Sequence, residues 1–118
     1  MDRVLQQRQL SVGVVGYGYW GPKLVRNFYE IPDVKLDWVV DKDVERLSKV
    51  SANYPGVTTT DSFDALLRSN TDAVVIATPD DTHRDLVIAA FVAGLHVLCE
   101  KPLARTVDDA EEMVVAAA

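Results

Sequence analysis

Between Leu10 and Pro22 the chain runs Leu-Ser-Val-Gly-Val-Val-Gly-Tyr-Gly-Tyr-Trp-Gly-Pro, an apolar stretch that breaks into three glycines before a helical pattern begins. Few folds accommodate such a sequence. A strand buried on both faces reads as a continuous apolar run. The glycines then permit three separate things: Gly16 a tight turn off the strand, Gly18 a close approach of backbone to a pyrophosphate, and Gly21 close packing of helix on sheet. The free N–H groups and positive dipole end of the next helix would face the phosphates. Tyr19 and Trp20 would add backbone amides there, their rings covering a cofactor or packing on the sheet.

The spacing is a weak signal alone, so the remaining chain must supply context. Leu24, Val25, Phe28 and Tyr29 recur at helical spacing after Pro22, and Pro32 stops the pattern. Val34 to Val40 reads as a second strand ending in Asp41. Asp43 caps a helix carrying Val44, Leu47 and Val50, closed by Tyr54-Pro55-Gly56. Val57 to Thr60 is a short strand, and Asp61 is the expected cap of a helix with Phe63, Leu66 and Leu67 inward. Asp72 to Thr78 is again apolar and stops at Thr78-Pro79. Thr82 is the expected cap of a helix whose core stripe is Leu86, Val87, Ala90 and Phe91, with Gly94 at its left-handed end. His96 to Cys99 is the fifth strand and leads into Glu100-Lys101-Pro102. Thr106, with Asp109 three residues on, caps a last helix bearing Ala110, Met113, Val114 and Ala117.

Strands alternating with helices imply a Rossmann-type α/β fold, a doubly wound parallel sheet of about five strands in order 3-2-1-4-5. Residues 1–9 read as a polar lead-in and residues 10–118 as one dinucleotide-binding domain cut off within its last helix. In such sheets ligands bind at the carboxyl ends of the strands. Each unusual short motif falls at such an end: Gly16 to Gly21, Asp41, Thr78-Pro79 and Glu100-Lys101-Pro102.

Asp41 lies 20 residues after Gly21, where an acidic residue is expected to accept hydrogen bonds from the adenosine ribose. A carboxylate there repels a 2′-phosphate and favours NAD over NADP. Lys42 beside it works the other way, since an ammonium partly neutralises such a phosphate.

Composition narrows the partners. The chain has 118 residues and a formal net charge of -6, with Lys and Arg scattered, which argues against a nucleic-acid surface or an anionic membrane. No apolar run approaches the roughly 18 residues of a membrane span. One cysteine, Cys99, cannot form an internal bridge, and without a leader-like N-terminus the expected compartment is the cytoplasm. Cys99 reads as inert core, Trp38 as packing and His96 as an ordinary strand residue. No His, Cys or carboxylate spacing suggests a metal.

Ala77-Thr78-Pro79, Thr82-His83, the run from Ala93 through Gly94-Leu95-His96-Val97-Leu98-Cys99-Glu100-Lys101-Pro102 to Ala104, and the glycine turn together resemble the N-terminal domain of the glucose-fructose oxidoreductase, inositol dehydrogenase and MocA family. The most specific element is Gly-x-His-Val-x-x-Glu-Lys-Pro. Gly18-Tyr19-Trp20-Gly21-Pro22 with Leu24 to Phe28 further resembles the branch that oxidises nucleotide sugars, such as UDP-N-acetylglucosaminuronate 3-dehydrogenases. The resemblance implies hydride transfer between a nicotinamide and a secondary hydroxyl carbon of a sugar, nucleotide sugar or cyclitol. It places Lys101 near the reacting hydroxyl as the catalytic residue, where an ammonium stabilises a developing alkoxide. It also implies that Glu100 orients Lys101 or contacts the nicotinamide ribose, that Thr78 and Pro79 floor the nicotinamide end, and that His83 lies near the cofactor.

The resemblance implies a second domain that supplies the substrate pocket, and residues 10–118 are expected to be the cofactor domain without it. The expectation is therefore a chain that binds cofactor without turnover, with an exposed sheet edge open to self-association. The alternative is a non-catalytic regulatory or structural module that binds NAD. Such a module needs the phosphate turn and Asp41 but no cation over the nicotinamide.

Overall fold

The computed structural model describes residues 9–118. Of the expected lead-in only Gln9 is among the described residues; its side-chain amide donates to the Pro32 carbonyl at 3.0 Å. The elements are β1 (Leu10–Val15), α1 (Gly21–Glu30), β2 (Val34–Val40), α2 (Val44–Asn53), β3 (Thr58–Thr60), α3 (Phe63–Leu67), β4 (Ala73–Ile76), a 3-10 turn (Asp80–Thr82), α4 (His83–Val92), β5 (His96–Cys99) and α5 (Val107–Ala117). All strand pairs are parallel and the sheet order is β3-β2-β1-β4-β5, as the alternating pattern predicts.

Two apolar layers hold helices to the sheet. On one side Val12, Val14, Leu36 and Val39 pack against Val25 of α1 and Leu47 and Val50 of α2. On the other, Val15, Val74 and Ile76 pack against Leu66, Val87, Ala90 and Met113. Each such side chain taken fully out of water contributes about 1.5–3 kcal/mol, which offsets the entropy of ordering the crossovers. Within β1 Gly13 leaves room for Leu66, which lies across it. A Cβ there would sit 2.5 Å from the leucine Cδ1.

Several local expectations are corrected. Ser62, not Asp61, caps α3: its hydroxyl accepts from the Ala65 amide at 3.1 Å. Thr82 makes no capping bond to α4, because the 3-10 turn turns its hydroxyl back to donate to the Pro79 carbonyl at 2.6 Å. Val44, Val114 and Ala117, counted in the apolar patterns of their helices, are exposed, and Tyr29 is exposed and packs edge-on against the Tyr54 ring. The buried residues of these helices are Leu47 and Val50 in α2, Gly21 and Val25 in α1, and Met113 in α5, and Val114, one residue on from Met113, is turned to another face. β3 and β4 are each shorter than expected at their ends. Asp43 and Thr106 cap as predicted.

Candidate functional site

Four loop starts meet along the carboxyl edge of the sheet, joined by a row of backbone hydrogen bonds. Asp41 donates to the Thr60 carbonyl at 3.2 Å, Gly16 to Val40 at 2.7 Å, Ala77 to Val15 at 2.8 Å and Glu100 to Ile76 at 2.9 Å. The parallel register thus brings the glycine turn, Asp41, Thr78-Pro79 and Glu100-Lys101-Pro102 side by side. These segments are far apart in sequence, and only the winding of the sheet makes them neighbours.

The glycine turn is built to be bare. Gly16 has φ +102°, a left-handed conformation, and a Cβ on it would meet the Ala77 carbonyl oxygen at 2.7 Å. A Cβ on Gly21 would lie 2.1 Å from the Gly16 carbonyl oxygen, so α1 starts directly over the turn. Gly18 differs: a Cβ there would meet only Arg46 Nη1, at 3.6 Å, which leaves its outer face open. Trp20 takes the cap position of α1 with no side-chain cap, and the first turn contains Pro22 and no acid. No carboxylate within the first turn of α1 therefore neutralises its positive end.

Asp41 is nearly buried, its side chain 8% exposed. One carboxylate oxygen accepts from the Tyr17 amide at 2.7 Å and the other from the Asp43 amide at 2.8 Å. Its first task is therefore to clamp the glycine turn to the end of β2. Arg46 was not singled out from the sequence, yet its Nη1 lies 3.7 Å from Asp41 and its Nε lies 3.7 Å from Asp43. The signal was there: Arg46 stands three residues after the Asp43 cap, on the face of α2 that looks back at the turn. Lys42 is exposed and makes no part of this clamp.

Tyr19 and Trp20 do not pack on the sheet. Their rings are exposed and meet edge to face at 5.0 Å, with Lys23 Nζ 4.7 Å from the indole centroid. Thr78 is half-buried and its hydroxyl lies 2.6 Å from that of Thr82; Pro79 is exposed. Glu100 is half-buried and Lys101 exposed, and the Lys101–Pro102 bond is cis. His83 is 1% exposed, with both ring nitrogens turned toward backbone carbonyls rather than outward.

Cys99 sits at the end of β5 beside Glu100. Burial, with the glutamate carboxylate adding, pushes its thiol up to about 11. A raised value favours the neutral thiol, so reactivity should appear only as pH climbs toward that range. At pH 8 alkylation of the native chain should be slower than that of the denatured chain by about tenfold or more. Equal rates in a timed iodoacetamide reaction would count against a shielded Cys99.

Residues 10–118 match the oxidoreductase family of glucose-fructose oxidoreductase, inositol dehydrogenase and MocA, the part described as its NAD-binding Rossmann fold. The chain belongs to this family. It is 38% identical over 109 residues to inositol 2-dehydrogenase of Rubrobacter xylanophilus, covering 92% of this chain and 31% of that protein. The crystal structure of GenD2 from gentamicin A biosynthesis, in complex with NAD, superimposes with a TM-score of 0.88 at 33% identity, over 93% of this chain and 32% of that one. The WlbA dehydrogenase of Bordetella pertussis, in complex with NADH and UDP-GlcNAcA, gives 0.86 at 30% identity, over 96% of this chain and 34% of that one. The chain thus spans about a third of the length of the relatives it matches, and that third is the family's NAD-binding domain. Among the described residues no helix is long and apolar enough to cross a membrane.

Proposed function

We propose that the chain binds NAD across the carboxyl edge of its sheet and supplies the cofactor half of a dehydrogenase acting on a secondary hydroxyl of a sugar, nucleotide sugar or cyclitol. The observation that carries this reading is the alignment of the bare glycine cradle, Asp41, Thr78-Pro79 and Glu100-Lys101 along one sheet edge. Gly16, Gly18 and Gly21 with the amides of Tyr19 and Trp20 hold the pyrophosphate. Asp41 takes the adenosine ribose and favours NAD; Lys42 and Arg46 temper its repulsion of a 2′-phosphate. Thr78 and Pro79 floor the nicotinamide end, and Glu100 orients Lys101. When bound, the nicotinamide supplies the hydride acceptor. Lys101 stands at the hydroxyl being oxidised, where its ammonium stabilises the alkoxide character that develops.

Titration of the 118-residue chain with NADH, followed by nicotinamide fluorescence, should saturate without dehydrogenase activity; no saturable change would sink the reading. A Lys101→Ala change should leave NADH affinity within about tenfold, or roughly 1.4 kcal/mol. In a complete protein carrying this domain the same change should strongly depress turnover. Unchanged turnover there would refute the catalytic role of Lys101.

A further inference from the structure

His83 opens α4 beneath the loops that carry the proposed nicotinamide end, and every polar group around its ring is an acceptor. Nδ1 lies 3.0 Å from the Pro102 carbonyl oxygen and 3.2 Å from that of Leu103, while Nε2 lies 2.8 Å from that of Thr78. A ring nitrogen facing an acceptor is satisfied only when it carries hydrogen, and at 1% exposure water does not substitute. A ring with one N–H holds one of the two loops; a ring with hydrogen on both nitrogens holds both. In either form that reaches the loop after β5, Nδ1 is the donor. Arg105 makes a second link across the same gap, its Nε donating to Asp80 at 2.9 Å, but on the exposed surface where such a pair contributes little.

We propose that His83 is a positioning residue of the site: through Nδ1–H it ties the segment Lys101-Pro102-Leu103 to the base of α4. Lys101 itself is exposed, and among the described residues its side chain makes no hydrogen bond or ion pair. The carbonyls immediately following it do so instead. The purpose of the tie rests on the proposed function, but its existence does not.

The test uses the full 118-residue chain labelled with 15N. In the wild type, His83 Nδ1 should carry a slowly exchanging hydrogen, with exposed His96 as the fast-exchanging internal comparison. A bare Nδ1 would overturn the proposal, and this reading needs no variant to fold. His83→Asn places an N–H donor where Nδ1 stands, whereas His83→Gln places one where Nε2 stands. His83→Gln should shift the amides of Glu100, Lys101 and Leu103 and weaken NADH binding about fivefold, the size of one lost hydrogen bond. His83→Asn should restore both, while the amides of Val12 to Val15 stay in place in either variant. If Asn and Gln behave alike at those loop amides, the directed tie is refuted. Should the wild type fail to bind NADH while the Nδ1 hydrogen and the Asn-over-Gln ranking stand, the tie is upheld and the cofactor reading falls.

Discussion

A Gly21→Ala substitution is expected to lower the melting temperature by roughly 12 °C, corresponding to about 3 kcal/mol of overpacking in a chain of this size. The new methyl carbon would lie 2.1 Å from the Gly16 carbonyl oxygen, and the opposing atom is backbone. Relief therefore requires α1 to lift off the turn, which withdraws Val25 from the core it fills at 0% exposure. Gly18→Ala provides the contrast. Its methyl carbon meets only the far end of Arg46 at 3.6 Å, so stability should change by less than about 1 kcal/mol, within the scatter of substitutions that meet no packed atom. Cofactor affinity should nevertheless fall in Gly18→Ala, because the methyl occupies the face the pyrophosphate is proposed to approach. Calorimetry and NADH titration of the two variants separate a glycine required by the fold from one required by the ligand. Equal losses of melting temperature would contradict this division.

Asp41→Ala is the second large expected effect. The Tyr17 and Asp43 amides lose their acceptor together, and Arg46 loses the nearer of its carboxylate partners to the turn. An unsatisfied buried donor costs about 1–3 kcal/mol, and Tyr17 is the more buried of the two, so a loss of about 2 kcal/mol is expected in denaturant unfolding. The same variant should bind NAD and NADP with more nearly equal affinity, since the repelling carboxylate is gone and the Arg46 and Lys42 cations remain. Retained selectivity would remove Asp41 from the ribose site while leaving its clamp intact. A loss of selectivity with unchanged stability would instead mean that the clamp is dispensable.

Much of the fold was legible because its causes are local. The apolar run of Leu10 to Val15, the helical spacing of Leu24, Val25 and Phe28, and the caps at Asp43 and Thr106 each depend on residues within a turn or two. Neighbouring candidates a residue apart were harder to separate. Asp61 and Ser62 both offer capping oxygens, and the hydroxyl of Ser62 is the one that reaches the Ala65 amide. Thr82 has a competing local partner in Pro79, one that a 3-10 turn supplies and a regular helix start would not.

The site divides the same way. Its residue types and their places at strand ends follow from sequence, since alternating strands and helices of this length wind in one hand and order. What tertiary structure alone decided is how those residues spend their polar groups. Asp41 reads as a ribose acceptor, yet its oxygens first bind the turn 24 residues earlier in the chain. His83 reads as a cofactor neighbour, yet its ring is taken by carbonyls 19 and 20 residues later. Such bonds depend on where distant backbones come to rest, and no local pattern encodes that. The sequence determined a glycine turn shaped for a phosphate and a lysine at the end of the fifth strand; only the packed loops decided which side chains hold those two in place.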